Sequence, residues 1–262
     1  MGVKGFWETV SPIHPGRTLP LWELNAEHVE ETGRPMRIAI DIPIAIYKYM
    51  SATKKVYKEN HGGMNHPTRN LFSFILRILE AGDQPVFVYD GRERAPLKRG
   101  ARTNAVAPRR GGRGGSSGRT TDDERREQNL HYIIELSQEM LRWLGLPCIV
   151  ASGEAEAECA RLEMAAVVDA VITGDGDAFL FGARTVLKYM FADDESKGTS
   201  RVRVFKMGGL ENANPPLLQS VFFSLALFAG GDYDDKGLRH CGPDLALKIG
   251  ASEHGAALWT LS

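Results

Sequence analysis

Apolar and polar residues alternate along the chain in a pattern that predicts strands and helices in turn. Four short runs rich in Val and Ile predict buried strands, and these are Arg37–Asp41, Val86–Asp90, Pro147–Ala151 and Asp169–Thr173. Helical spacing fills the segments between them, namely Ile44–Lys58, His66–Ala81, Asp122–Leu144 and Gly153–Val167. The repeated order predicts an α/β fold with a mostly parallel central sheet and helices on both faces.

The last third of the chain extends this pattern. Thr185–Tyr189 and Arg201–Lys206 predict two further strands, and Pro215–Ala229 predicts a helix. A stretch punctuated by glycines follows, from Gly230 to Gly250. We expect this stretch to be a separate, turn-rich element.

Composition excludes several classes of protein. The 262 residues are 43% hydrophobic, which is enough for a full core and excludes wholesale disorder. Three scattered cysteines, Cys148, Cys159 and Cys241, fit neither a disulfide framework nor a zinc site. The apolar stretch Leu217–Ala229 is shorter than the roughly 20 residues that span a bilayer. We expect a globular intracellular protein without a membrane partner.

The net charge of −1 conceals one strongly basic segment. Between Arg92 and Arg119 nine basic residues and one acid give a local charge of +8. An isolated basic run is most often a solvated linker. This run directly follows a predicted strand that ends in Asp90, which favours a functional role.

Carboxylates follow the predicted strands at the points where the strands end. They are Asp41, Asp90, Glu154, Glu156, Glu158, Asp175 and Asp177. Each one alone is compatible with a helix cap or a turn. In open parallel sheets, however, the carboxyl ends of the strands meet at one edge, where ligands bind. Carboxylates gathered there repel one another unless cations neutralise them, and oxygen ligands without His or Cys select Mg²⁺ or Mn²⁺.

The spacing of these acids suits a pair of ions. Glu154 and Glu156 do not share one face of a regular helix, so both bind only if they lie at its irregular entrance. Gly176 relieves the backbone between Asp175 and Asp177, and Asp232 is a further candidate. Two divalent ions about 4 Å apart promote phosphodiester hydrolysis. Beside a +8 segment that can bind a phosphate backbone, this pattern predicts a nuclease.

Six blocks of the sequence resemble, in order, the motifs of the flap-endonuclease/XPG superfamily of structure-specific DNA nucleases. The blocks are MGVKGFWETV, RIAIDIPIAIYKY, VFVYDGRERAPLKR, ASGEAEAECARL, VDAVITGDGDAFLFGARTVL and GGDYDDKGLRHCGPDLALKI. GEAEAE paired with GDGDAFLFG is the most specific of these. Within the superfamily, the GEN/Yen branch of Holliday-junction resolvases is most similar to this chain in three segments, MNHPTRNLFSFILRIL, GEAEAECA and DGDAFLFGARTV.

The resemblance implies a PIN-like nuclease core followed by a C-terminal helix-two-turn-helix. It divides the chain into an N-terminal XPG-type nuclease region (1–91), a basic arch (92–121), an internal XPG-type region (122–229) and the helix-two-turn-helix (230–262). The last region is expected to be incomplete, because later family elements, including the chromodomain of this branch, are not visible. The chain is therefore expected to be a fragment.

The resemblance also assigns the site. Seven carboxylates are expected to hold two Mg²⁺ ions, for which Mn²⁺ can substitute, and they are Asp41, Asp90, Glu154, Glu156, Asp175, Asp177 and Asp232. Glu158 lies outside this set. The expected catalytic residues are Asp41, Glu154, Asp175 and Lys98. Lys98, with Arg99 and Arg102, matches the base of the arch, where positive charge stabilises the transition state.

Further residues are expected to contact DNA. Gly2 and Lys4 lie in the N-terminal motif, and Arg92 and Arg94 lie in the arch. Phe6 and Trp7 either stack on the terminal base pair of a bent junction or are ordinary core aromatics. The hairpin 237–248 is expected to hold a duplex phosphate with a potassium ion, through the residues Gly237, Gly242 and Lys248.

Two departures from the family pattern stand out. His240 occupies a hairpin position that is normally glycine, which bears on the hairpin geometry and on cation binding. The arch is rich in Gly and Arg rather than helical, which favours an open grip on branched DNA over the threading of a free end.

The predicted function is a Mg²⁺-dependent endonuclease of recombination and repair. Its expected substrates are Holliday junctions, cut by paired symmetric nicks, together with 5′ flaps and replication forks. It is expected to be a monomer alone, a homodimer on a four-way junction, and nuclear. The alternatives are a flap endonuclease of replication and a non-catalytic junction-binding scaffold. A phosphatase or nucleotide enzyme would leave the basic segment and the hairpin unexplained.

Overall fold

A computed structural model of the chain describes residues 2–50, 67–91, 121–189, 200–232, 234 and 236–261, with the backbone alone for 121–128. Seven strands form one sheet: β1 Arg17–Pro20, β2 Arg37–Asp41, β3 Gln84–Tyr89, β4 Cys148–Val150, β5 Ala170–Ile172, β6 Thr185–Tyr189 and β7 Arg201–Lys206. Their order is β1-β7-β6-β5-β2-β3-β4. The five neighbouring strands β6, β5, β2, β3 and β4 are parallel to one another. At one side of the sheet, β7 pairs antiparallel with β6, and β1 pairs antiparallel with β7.

The helices cover both faces of this sheet. In chain order they are α1 Phe6–Ile13, α2 Leu21–Thr32, α3 at residues 42–50, α4 Pro67–Glu80, α5 Thr121–Trp143, α6 Ala155–Met164, α7 Asp177–Leu180, α8 Met207–Glu211, α9 Gln219–Ser224, α10 Pro243–Gly250 and α11 Glu253–Thr260. A π-helical turn, Leu225–Ala229, continues α9. Across the described ranges, every helix is too short or too polar to serve as a membrane-spanning segment.

Each face of the sheet has its own hydrophobic core. Successive strand residues point to opposite faces, so Ile38 and Ile40 of β2 pack with α2, α3, α4 and α5. Ala39, between them, packs on the other face with α1, α6, α7 and α9. All three side chains are fully buried. Burial on both faces explains why the central strands are nearly continuous apolar runs.

The structure confirms the predicted α/β architecture and locates every predicted strand. Three of them, β2, β6 and β7, have the predicted bounds. The helix predicted for Pro215–Ala229 begins only at Gln219, because Leu218 before it is extended. The predicted Ile44–Lys58 and His66–Ala81 helices are described only over 42–50 and from Pro67, since the rest lies outside the described residues. The sequence pattern does not predict α1, β1, α2, α7 or α8.

A half-buried ion-pair network ties the amino ends of two central strands. Asp169, just before β5, accepts two hydrogen bonds from the guanidinium group of Arg34, at 2.6 and 2.7 Å. Arg37, the first residue of β2, donates to the same carboxylate through its backbone N–H and its side chain. Although partial burial raises the pKa of Asp169, these hydrogen bonds hold it well below its usual range. The network fixes the register of β5 against β2 at the edge away from the carboxylate cluster.

A second carboxylate at that amino edge is buried without such partners. Asp83, between α4 and β3, is 5% exposed, and neither of its carboxylate oxygens has a hydrogen-bond partner among the residues described. Burial raises the pKa of Asp83 to about 8. The folded protein therefore keeps a proton on Asp83 that the unfolded chain releases near pH 4.

We predict that Asp83→Asn stabilises the protein at alkaline pH. The contribution of Asp83 to stability falls as pH rises from about 4 to about 8, because the unfolded state binds fewer protons there. At pH 8.5 the variant should be more stable by roughly 2 kcal/mol or more, and near pH 4.5 the difference should vanish. Urea unfolding at both pH values measures this. The exposed Glu31→Gln serves as the control, and a difference that does not change with pH would contradict the prediction.

Candidate metal centre

The predicted carboxylates lie together at the carboxyl edge of the parallel strands. Asp41 ends β2, Asp90 follows β3, Glu154 and Glu156 follow β4, Asp175 and Asp177 follow β5, and Asp232 follows the π-helical turn. Six of the seven are buried, with exposures of 3 to 7%, and Asp90 is half-buried. So many acids buried at one edge are unusual, because carboxylates are rarely buried unless they are paired or bind metals.

Thr173 joins two of these carboxylates. Its hydroxyl donates a hydrogen bond to Asp41 Oδ2 at 2.9 Å and accepts one from the backbone N–H of Asp175 at 3.1 Å. Thr173 is 1% exposed, so no water competes for this hydroxyl. The β-branched side chain is stiff at χ1. Thr173 therefore fixes the position of Asp41 relative to the turn after β5.

The loops after β3 and β4 are also bonded to each other. Asp90 Oδ1 accepts from the backbone N–H of Ala155 at 3.0 Å, and the N–H of Gly91 donates to Gly153 O at 2.7 Å. Glu154 is the extended N-cap of α6, and Glu156 lies in its first turn. The irregular entrance expected for these two acids is thus present.

Glu158 belongs outside the cluster. It lies half-buried, and both of its oxygens accept hydrogen bonds from Arg161 on the next turn of α6, at 2.6 and 2.9 Å. These bonds lower the pKa of Glu158.

The N-terminal segment, Gly2–Trp7, contacts both of the later carboxylate loops. The N–H of Val3 donates to Asp177 Oδ1 at 2.8 Å, and the Trp7 indole N–H donates to Gly174 O at 2.8 Å. The N–H of Lys4 donates to Gly230 O at 2.9 Å, two residues before Asp232. Through these bonds one short segment positions the turn after β5 and the loop that carries Asp232.

Glycines make this close approach possible. A Cβ on Gly2 would overlap the Asp175 carboxylate, and Gly2 also has a φ of +93°. A Cβ on Gly176 would overlap the Phe6 ring. The segment and the turn could not lie this close with larger residues at these positions.

A cavity of about 590 Å³ opens beside the cluster. Its wall is formed by the N-terminal segment with Glu8, Gly174, Gly231 and Asp232. The cavity gives the carboxylate edge an opening next to Asp232.

The electrostatics of the cluster favour a bound cation. Burial, together with the charges of Asp177 and Glu156, raises the pKa of Asp175 to about 8, although the N–H of Asp177 partly offsets this. The donors are all carboxylate oxygens, which suit Mg²⁺ and Mn²⁺. The residues therefore fit a divalent metal by their chemistry and their need for positive charge. Within the described part of the chain, no three His, Cys, Asp or Glu side chains are already arranged to hold one ion.

The aromatic residues expected to contact DNA differ in their placement. Phe6 is 2% exposed and packs against Phe179 and Phe222 with ring centroids 6.2 and 5.3 Å apart. Burial of this ring supports its alternative interpretation, a core aromatic. Trp7 is half-buried, so part of its ring is accessible.

The other predicted DNA contacts are scattered. Gly2 is buried, whereas Lys4, Gly242 and Lys248 are exposed and Gly237 is half-buried. The arch residues Arg92, Arg94, Lys98, Arg99 and Arg102 lie outside the described residues.

The glycine-punctuated stretch precedes a C-terminal helical region formed by α10 and α11. His240, where the family pattern has glycine, adopts a φ of +65°, the left-handed conformation that glycine takes without strain. Gly237 has a φ of +57°, and a Cβ there would overlap the backbone of Phe228 and Ala229. The hairpin backbone thus keeps a glycine-like conformation at His240, whose side chain is exposed.

Models of two parts of one protein family match most of the chain. The XPG N-terminal domain matches residues 1–110, and the XPG I-region matches residues 145–232. The chain belongs to the XPG family. Both matched parts contribute strands to the same sheet, so in this XPG protein they form one nuclease-type core around the carboxylate edge.

Curated XPG-family relatives are similar along nearly the whole chain. Flap endonuclease GEN homolog 1 of Homo sapiens is 29% identical over 250 residues, 95% of this chain and 25% of that protein. Flap endonuclease GEN-like 1 of Arabidopsis thaliana is 32% identical over 243 residues, 87% of this chain and 37% of that protein. The chain thus spans well under half the length of these relatives.

A solved structure shares the fold. The Holliday junction-resolving enzyme GEN1, in complex with product DNA and a Mg²⁺ ion, superposes with a TM-score of 0.68 at 28% identity, over 99% of this chain and 55% of that one. The predicted PIN-like nuclease fold is therefore confirmed.

The sequence prediction missed the residues that support the carboxylates. The apolar pattern predicts Thr173 only as the end of a strand. A Thr directly before Gly-Asp at a strand end is, however, a position from which a hydroxyl can reach a neighbouring carboxylate. Val3 and Lys4 donate through their backbone N–H groups, which almost every residue type has, so the sequence gives no sign of these hydrogen bonds.

We predict that Gly176→Ala destabilises the protein by about 1–3 kcal/mol, because the new methyl group would overlap the fixed Phe6 ring. Gly208→Ala in α8 is the matched control, since a Cβ there has no atom within 4 Å. The control should be neutral or stabilising by up to about 1 kcal/mol. Thermal unfolding compares the two, and equal stability of both variants would disprove the packing argument.

Proposed function

We propose that the chain is the nuclease core of a structure-specific endonuclease that cuts branched DNA with divalent metal ions. Its foremost substrates are four-way Holliday junctions, and 5′ flaps and replication forks are further substrates. The observation that carries this proposal is the set of buried carboxylates at the carboxyl edge of the sheet. Membership of the XPG family, and the likeness to a junction-resolving enzyme seen with product DNA and Mg²⁺, support it.

The residues of the cluster have distinct tasks in this proposal. Asp41, Asp90, Glu154, Glu156, Asp175, Asp177 and Asp232 would hold two Mg²⁺ ions, or Mn²⁺ in their place. Two such ions activate a water molecule and stabilise the leaving oxygen of a phosphodiester. Thr173 keeps Asp41 at a fixed distance from the turn after β5. The N-terminal segment holds that turn and the Asp232 loop against each other.

Regions on either side of the cluster complete the proposal. Lys98, Arg99 and Arg102 of the basic segment would place positive charge near the reacting phosphate. In this proposal the regions 1–91 and 122–229 form the nuclease core, 92–121 is the basic arch, and 230–262 is the helix-two-turn-helix that contacts duplex DNA. The exposed Lys248 on α10 would contact duplex phosphate, with a potassium ion at the hairpin. The enzyme would act in the nucleus, as a monomer alone and a pair on a junction.

A flap endonuclease is the second candidate, because the names of both curated relatives contain that activity. A non-catalytic junction-binding scaffold would retain DNA affinity without the carboxylates. All seven expected carboxylates are present in this chain. That set favours an enzyme over a scaffold.

We predict symmetric nicks in four-way junctions, in Mg²⁺ but not in Ca²⁺. Labelled four-way junctions, 5′ flaps and linear duplex are each incubated with the unmutated chain, with Asp41→Asn, and with the exposed control Glu31→Gln. Asp41→Asn should lower the cutting rate by at least about 100-fold, because it removes one charged oxygen ligand while keeping the side-chain shape. Glu31→Gln should cut normally, and all three proteins should still bind junctions in Ca²⁺.

Each contrary outcome has a distinct meaning. Flaps cut while junctions remain intact would reject the resolvase assignment and favour the flap endonuclease. Tight junction binding without any Mg²⁺-dependent cut would favour the scaffold. Unimpaired cutting by Asp41→Asn would show that the carboxylate edge is not the active site.

We also predict that junction affinity falls steeply with salt. The logarithm of the binding constant should decrease against the logarithm of salt concentration by about 0.9 for each phosphate neutralised. Lys248→Ala should reduce this slope by about 1. The control is Lys206→Ala, which removes an exposed lysine at the amino edge of the parallel strands, opposite the carboxylates. It should leave the slope unchanged. Junction-binding titrations in Ca²⁺ at several salt concentrations measure this slope. A complex whose affinity does not change with salt would contradict the phosphate contacts.

A further inference from the structure

Trp7 makes two polar contacts that an ordinary core aromatic would not need. Its indole N–H donates to Gly174 O at 2.8 Å, between Thr173 and Asp175. On its ring face lies the ammonium of Lys188, 4.3 Å from the ring centroid. The ring also packs against two apolar rings, those of Phe6 and Phe205, at centroid distances of 5.0 and 4.8 Å.

The strand register places Lys188 beside the carboxylate edge. Ile172 of β5 pairs with Leu187 of β6, so Lys188 is level with Thr173 at the carboxyl end of the sheet. Lys188 points to the same face as Val186, which is the face that Trp7 covers. Trp7 therefore touches the loop of Asp175 on one side and a cation of the neighbouring strand on the other.

Lys188 lies in a setting that disfavours its charge. Arg203 is its cross-strand partner on β7, and like charges directly opposite each other repel. Burial, then the charges of Arg203 and Lys48, lower the pKa of Lys188, while Glu8 opposes this effect. The π face of Trp7 offers the ammonium a compensating attraction. In return, the ammonium restricts the orientation of the indole.

We propose that Trp7 is a positioning residue for the carboxylate centre. Its N–H holds the turn Gly174–Asp177 in place, and the ammonium of Lys188 fixes the ring from which that N–H is donated. The proposal rests on the proposed metal function of the cluster and names a residue on which that function depends. Outer residues that orient metal ligands typically change metal affinity by 10- to 100-fold when they are replaced.

The test measures metal binding rather than cutting. Mn²⁺ is titrated into the full chain by calorimetry, well below the melting temperature of each variant. Trp7→Phe keeps an aromatic ring among Phe6 and Phe205 but removes the N–H, and should weaken Mn²⁺ binding roughly tenfold. Trp22→Phe, which changes an exposed tryptophan of α2, should leave the affinity unchanged.

Lys188→Met separates positioning from electrostatics. Loss of a nearby positive charge would by itself tighten Mn²⁺ binding. If the ammonium fixes the ring, the variant should instead bind Mn²⁺ about two- to threefold more weakly, in line with the modest strength of a cation–π contact. Tighter binding would overturn the role given to Lys188.

The outcomes also separate this proposal from the function on which it rests. An unmutated chain that binds no Mn²⁺ would reject the metal function itself. Normal Mn²⁺ binding by the folded Trp7→Phe variant would reject the positioning role alone. A lower melting temperature with unchanged Mn²⁺ affinity would show that Trp7 serves only the core.

Discussion

Mutual repulsion among buried carboxylates is the constraint on which the rest of this structure depends. Six acids with at most 7% exposure share one edge of the sheet, and burial, with the charges of Asp177 and Glu156, raises the pKa of Asp175. Left to themselves, such groups would separate or take up protons. The fold resists this by anchoring them to different elements. Asp41 ends β2, Glu156 and Asp177 lie in the first turns of α6 and α7, and Asp232 follows the π-helical turn. The amino edge carries the opposite arrangement, where Asp169 is neutralised by two arginines.

Supporting contacts converge on the turn after β5. Thr173 approaches it from the strand, Val3 and Trp7 from the N-terminal segment, and the Phe6 ring lies against Gly176. Most of these contacts are backbone or glycine contacts, which hold a position without adding charge. Among these contacts, the N–H of Val3 occupies one carboxylate oxygen, Asp177 Oδ1, whereas those of Trp7 and Phe6 with the glycines of the turn leave the carboxylate oxygens to a cation.

The sequence predicts the core of the fold well, because strands buried on both faces leave continuous apolar runs such as Arg37–Asp41. The carboxylates were predictable for a related reason, since strand ends in parallel sheets meet at one edge. In contrast, β1 escaped prediction because its four residues, Arg17–Pro20, are exposed or half-buried apart from Leu19 and are defined by pairing with β7. The role of Trp7 depends on a contact between residues 167 positions apart, which no local pattern encodes. For Thr173 the local pattern marks a suitable position but not its partner Asp41, 132 positions away.

Those separations have a consequence for how the protein is made. The N-terminal segment meets its partners only after residues near 177 and 230 have been synthesised, since Val3 and Asp177 are 174 positions apart. Contacts of such long range form late, because a large loop must close before they stabilise anything. A nascent chain therefore carries most of its acids before it can hold them together. Asp232 is the last of the seven carboxylates along the chain, so shorter products of synthesis lack part of the proposed metal centre.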